Sequence, residues 1–83
     1  MKIKFKEQKA IEIIQYNKSI EYDISFVNKI YIKHFSFVLV KMYYLNIITK
    51  DRKKNSFLFF RKDKENIKRE VFYIRNFMSS HLE

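Results

Sequence analysis

Apolar and polar residues alternate along much of the chain between residues 2 and 62, and the spacing then changes to a helical one. Lys2 to Lys6 reads Lys-Ile-Lys-Phe-Lys, which puts Ile3 and Phe5 on one face of a strand and lysines on the other. Glu7 to Tyr16 fits either period: Ala10, Ile13 and Ile14 share a helical face, whereas Ile11 and Ile13 share a strand face. A strand is the better reading, because a turn follows at once in Tyr16-Asn17-Lys18-Ser19, where Asn17 is suited to a positive φ. Ile20 to Val27 alternates most clearly, with Ile20, Tyr22, Ile24 and Phe26 on one side and Glu21, Asp23 and Ser25 on the other. The alternation runs on through Ile30 and Ile32. It then changes phase to Phe35, Phe37 and Leu39, which predicts a turn or bulge near Lys33-His34.

Phe35 to Val40 and Tyr43 to Thr49 read as further strands, Lys50 to Ser56 as a polar turn, and Phe57 to Phe60 as the returning strand. The last element is helical. Asp63 suits its N-cap and Glu65 its first turn, while Ile67, Val71, Ile74 and Met78 form one stripe that Phe72, Tyr73 and Phe77 widen. Strands followed by one amphipathic helix predict a single α+β domain over residues 1–83: a small antiparallel, partly open barrel or curled sheet, capped by a C-terminal helix over about residues 63–81. The rival architecture is a winged helix, with the last hairpin as wing. It would require three helices between Met1 and Tyr44, against the alternation seen there.

Composition changes this picture in two ways. A chain of 83 residues without Cys has no disulfide to stabilise a thin core, and that absence fits a reducing compartment, so a cytoplasmic location is expected. The 9 Phe and 6 Tyr supply the core instead. Gly and Pro are both absent, and Lys, Ile, Phe, Tyr and Asn, all with A/T-rich codons, make up 47 of the 83 residues. Codon drift of this kind raises the Lys count without selection, so only part of the net charge of +9 counts as evidence for an anionic partner. The N-terminus carries no apolar signal stretch. The most apolar run, Phe35 to Ile48, has 14 residues with Lys41 in its middle and reads as a buried strand pair, since a membrane-spanning helix needs ~20 apolar residues. The final Leu82-Glu83 has the look of a cloning remnant and is set aside.

Between Ser19 and Met78 the chain resembles bacterial pleckstrin-homology-like (PH-like) domains. The resemblance rests on a strand like the family's I-x-Y-x-x-I, matched here by Ile20, Tyr22 and Ile24, an F-x-F strand at Phe57 and Phe59, and the closing helix from Asp63. It implies a partly open barrel closed by that helix. Eukaryotic members of the family often bind phosphoinositides through a basic loop between the first two strands. The basic turn here lies between the last two, so no lipid-binding residue is carried over.

The strongest electrostatic feature is the segment Lys50 to Lys64. Lys50, Arg52, Lys53, Lys54, Arg61, Lys62 and Lys64 stand against Asp51 and Asp63, a net of +5. Point charges on a protruding hairpin can displace counterions from a polyanion, so these seven residues are the candidate anion- or partner-binding site. The KNSFLFF stretch (Lys54 to Phe60) has the basic-then-aromatic order of an RNA-stacking strand, but it lacks the glycines of that motif and its Phe residues read as core. His34 and His81 have no second ligand nearby in sequence, no Ser lies in a nucleophile elbow, and no Gly-rich phosphate loop is present. No catalytic residue, metal or cofactor is therefore assigned. The expected function is a non-enzymatic small basic binding module that recognises a protein partner or an anionic surface. The alternative is a nucleic-acid binder that uses the same basic hairpin, and a homodimer formed through exposed strand edges is a third possibility.

Overall fold

A computed structural model describes residues 1–81, apart from the side chains of Phe37 and His81. The readings of the His81 side chain and of Leu82-Glu83 fall outside the described residues. Two antiparallel three-stranded meanders succeed one another. β1 (Lys2–Lys6), β2 (Ala10–Gln15) and β3 (Lys18–Asp23) form the first sheet; β4 (Val27–Phe37), β5 (Val40–Thr49) and β6 (Lys54–Phe59) form the second. Helix α1 (Lys64–His81) closes the fold. The class is α+β, and the sheets do not join into a closed barrel. The winged-helix rival is not the architecture: the described residues from Met1 to Tyr44 form strands, turns and one 3₁₀ turn, with no α-helix.

The core lies between the inner faces of the two sheets and under the helix. Ile3, Ile11 and Ile13 from the first sheet meet Ile30, Leu45, Ile47 and Phe59 from the second, and Ile67, Val71 and Ile74 of the helix pack onto both. The alternation of β1 and β2 and the helical stripe therefore point where their periods say they should. Helix α1 lies against β1 and β4, filling the opening between the two sheets on that side. Phe5 is held edge-on by the rings of Tyr73, at 5.8 Å, and Phe77, at 5.2 Å. On the opposite side β6 faces β2 and β3 without strand pairing. There Tyr22 meets Phe57 at 6.5 Å, and the Gln15 amide donates to the Leu58 carbonyl.

Four local expectations need correction. The strand expected over Ile20–Val27 stops at Asp23, whose carboxylate accepts from the Ser25 amide at 2.9 Å and the Ser25 hydroxyl at 2.7 Å. Those bonds cap a 3₁₀ turn over Ile24–Phe26, so Ile24 is buried while Ile20 and Phe26 stay half exposed. The phase change expected near Lys33-His34 lies upstream instead, at that turn and at a bulge between Val27 and Lys29, and β4 runs unbroken through both residues. Asp63 does not open α1 as an N-cap. It ends a 3₁₀ turn over Arg61–Asp63, and its carboxylate accepts from the Met1 ammonium at 3.2 Å.

Phe72 does not widen the buried stripe either; it is 67% exposed, opposite the stripe it was expected to join. The contrast gives a direct test. Ile74→Ala should lower unfolding stability by about 2–5 kcal/mol, read as a shift of the urea midpoint, whereas Phe72→Ala should lie within about 0.5 kcal/mol of wild type.

Candidate functional site

The seven cations expected to form one site are divided by β6 into two groups. Lys50, Arg52, Lys53 and Lys54 cluster in and beside the turn between β5 and β6, while Arg61, Lys62 and Lys64 follow the far end of β6. From Lys54 to Phe59 is five residue steps, about 17 Å of strand at ~3.3 Å per residue. That exceeds the ~8 Å screening length at physiological salt, so the two groups act as separate fields.

The first group surrounds an internally satisfied turn. The buried Thr49 donates its hydroxyl to the Asp51 carboxylate, which also receives the Lys53 amide at 3.4 Å. The Thr49 amide donates to the Lys53 carbonyl at 3.0 Å and the Arg52 amide to the Thr49 carbonyl at 2.9 Å. Arg52 takes a φ of 67°, a conformation that glycine would fill without strain. Asp51 also stands 3.9 Å from the Lys53 ammonium. The Thr49 hydrogen bond, followed by those from the backbone and the Lys53 charge, holds the Asp51 carboxyl below its ordinary value of 3.8. The single acid of this turn is thus spent on shaping it, and the exposed Lys53 pair adds little.

The second group belongs to a differently built end. Tyr43 is stacked between His34, at 5.2 Å, and Phe59, at 5.5 Å, and the Lys64 ammonium lies 5.3 Å from the Tyr43 ring centre. Lys64 is therefore tied to the sheet, whereas Arg61 and Lys62 are exposed. Beyond Tyr43 the β4–β5 hairpin continues without β6. The pairs Phe35–Met42, Ser36–Lys41 and Phe37–Val40 project as a two-stranded finger, about 10 Å long at ~3.3 Å per residue.

The tip of that finger is apolar. Val38 is 87% exposed and Leu39 95%, with Val40 half exposed behind them and Lys41 beside them. At the base of the finger Phe60 is exposed, Tyr16 is 76% exposed, and Lys62 shares a hollow with both. The exposed Lys18 follows Tyr16-Asn17 in the same turn. One end of the molecule thus combines apolar and aromatic side chains in water with Lys18, Lys41, Arg61 and Lys62.

Sequence reasoning singled out Arg61 and Lys62 but not the exposed Val38, Leu39, Tyr16 and Phe60 beside them. It took the Phe35–Ile48 run as buried, yet only its second half, from Tyr43 on, has a third strand beside it. The available signal was Val38-Leu39 itself, two apolar residues at the point where strand pairing had to reverse.

Among the described residues, no three His, Cys, Asp or Glu side chains gather closely enough to hold a metal ion, and no helix is long and apolar enough to cross a membrane. Comparisons with protein-family models, with curated proteins and with solved structures gave no match.

The Asp51 geometry fixes a pH dependence. Because its folded pKa lies below 3.8, the contribution is present above that value and is lost as pH falls from there through the lower, folded pKa. The stability difference between wild type and Asp51→Ala should therefore be constant from neutral pH down to about pH 5 and shrink below about pH 4, in urea melts taken at each pH. A difference that does not change with pH would show that the carboxylate charge plays no part in the turn.

Proposed function

We propose that this protein is a non-catalytic binding module that docks on an anionic bilayer surface through its finger end. Val38, Leu39 and Val40 enter the boundary between headgroups and acyl chains, with Tyr16 and Phe60 at headgroup level. Lys18, Lys41, Arg61 and Lys62 meet the lipid charge. Apolar insertion and cationic attraction are each weak alone, and together they hold a protein at a membrane. The PH-like resemblance, carried by Ile20, Tyr22, Ile24, Phe57, Phe59 and the closing helix, is part of this proposal, and a peripheral docking role is compatible with it.

The observation that carries this reading is the conformation of Val38. It is a β-branched residue at φ 52°, and it is almost fully in water. A left-handed conformation costs such a residue about 1–2 kcal/mol. Its side chain regains little through burial, so the folded chain alone gives no reason for valine there. An apolar side chain held at the tip of a rigid hairpin has a use when something outside the chain covers it.

Co-sedimentation with phosphatidylcholine vesicles, with and without phosphatidylserine, tests the proposal. Binding should require the anionic lipid, fall as salt rises, and drop about tenfold or more in Leu39→Asp, given the ~1.5–3 kcal/mol for burying a Leu side chain. Val38→Gly should melt higher, by about 1 kcal/mol of stability, and still bind vesicles more weakly. Equal binding of wild type and Leu39→Asp, or no vesicle binding at low salt, overturns the bilayer reading. Salt-steep binding to duplex DNA that is lost in Lys53→Glu/Lys54→Glu would transfer the function to the other basic group and to nucleic acid.

A further inference from the structure

The second sheet has an outer face turned away from the core, and on it lies a groove of about 310 Å³ lined by Lys33, Phe35, Tyr44, Asn46, Lys54 and Ser56. Asn46 stands at its floor, on the central strand β5, paired across to Tyr31 on one side and Ser56 on the other. It is only 2% exposed. Its Oδ1 accepts the Ser56 hydroxyl at 2.5 Å, and its Nδ2 has no partner among the described residues. Turning the amide over would only change which end is left over. A buried amide donor without an acceptor costs about 1–3 kcal/mol. A central strand position of this kind otherwise favours a β-branched or aromatic residue.

The surroundings define what would satisfy that donor. Tyr44 lies two residues along the same strand, on the same face, and Phe35 borders the groove from β4. Lys33, paired with Tyr44, and Lys54, paired with Ile48, reach in from the two edge strands at diagonal corners. The groove therefore offers an apolar aromatic wall, one buried N–H donor at its floor, and a cation at either end. Its volume matches a single ring system with a short substituent, at the small end of the ~300–1,000 Å³ usual for ligand sites.

We infer that this groove binds a small aromatic anion. The ring lies along Tyr44, an acceptor oxygen or nitrogen in or attached to the ring takes the Asn46 Nδ2 hydrogen, and the anionic group pairs with Lys33 or Lys54. A nucleoside monophosphate and an aryl carboxylate both have this chemistry. The site does not include Val38, Leu39 or the cations of the finger end, so it stands or falls independently of membrane docking.

Nitrogen-labelled full-length protein, titrated with uridine monophosphate and separately with hydroxybenzoate, tests the assignment by NMR. With one of the two probes, the Asn46 side-chain amide resonances and the backbone amides of Tyr44 and Ser56 should move together and saturate. Asn46→Leu should keep or raise the melting temperature while weakening that probe about tenfold or more. Lys33→Gln/Lys54→Gln should weaken it and flatten its salt dependence. If Asn46→Leu does not fold, the wild-type side-chain resonances decide alone. The inference is overturned if neither probe gives a saturable shift, if shifts are confined to Val38–Lys41 and Arg61–Lys62, or if Asn46→Leu binds with wild-type affinity.

Discussion

The packing of Ile67, Val71 and Ile74 into the gap between β1 and β4 is the contact on which the rest of the fold depends. Each sheet is a meander of neighbouring strands that could form locally, but its apolar face has to be buried against another element. The two sheets cover each other on the β6 side through Tyr22 with Phe57 and through the Gln15 bond to Leu58. On the other side α1 closes the core, and Phe5, clasped by Tyr73 and Phe77, ties the helix to the first strand. The helix therefore acts as the joint that makes two sheets share one interior. It also anchors the short segment carrying Arg61 and Lys62 at the finger end.

Legibility of this chain followed the physical basis of each signal. Ile3 with Phe5, Ile11 with Ile13, and the stripe Ile67, Val71 and Ile74 were readable because burial and period agree at those residues. Ile20 to Val27 misled because the alternation there is real in composition, while the Asp23 carboxylate takes the Ser25 amide and turns the backbone away before the pattern is complete. Asp63 misled for a related reason: a residue competent to cap a helix found a cation, the Met1 ammonium, instead.

The candidate site was less readable than the fold. Lys50 to Lys64 is continuous in sequence, and only the extended conformation of β6 separates its ends. The exposed tip at Val38-Leu39 was hidden by the premise that apolar runs are buried, which holds for the half of the run that β6 covers and fails for the half it does not. Asn46 gave no signal in sequence, because an Asn within a strand pattern acquires meaning only when its neighbours across the sheet are known. These three misses share a cause. Each concerns what lies beside a residue in a neighbouring strand, which no period along the chain records.

A chain without glycine must still reverse direction, and it does so at Glu7, Gln8, Tyr16, Asn17, Val38 and Arg52, all with positive φ. Asn17 tolerates this well, and the others are held in conformations that their side chains oppose. The resulting strain is spread over surface turns, away from the interior. That distribution amounts to evolutionary slack: a replacement by glycine at one of these turns would release free energy without disturbing the core, offsetting a harmful change elsewhere. A protein that looks impoverished in its amino-acid repertoire thus holds, in its least comfortable turns, room to tolerate mutations its small interior could not otherwise survive.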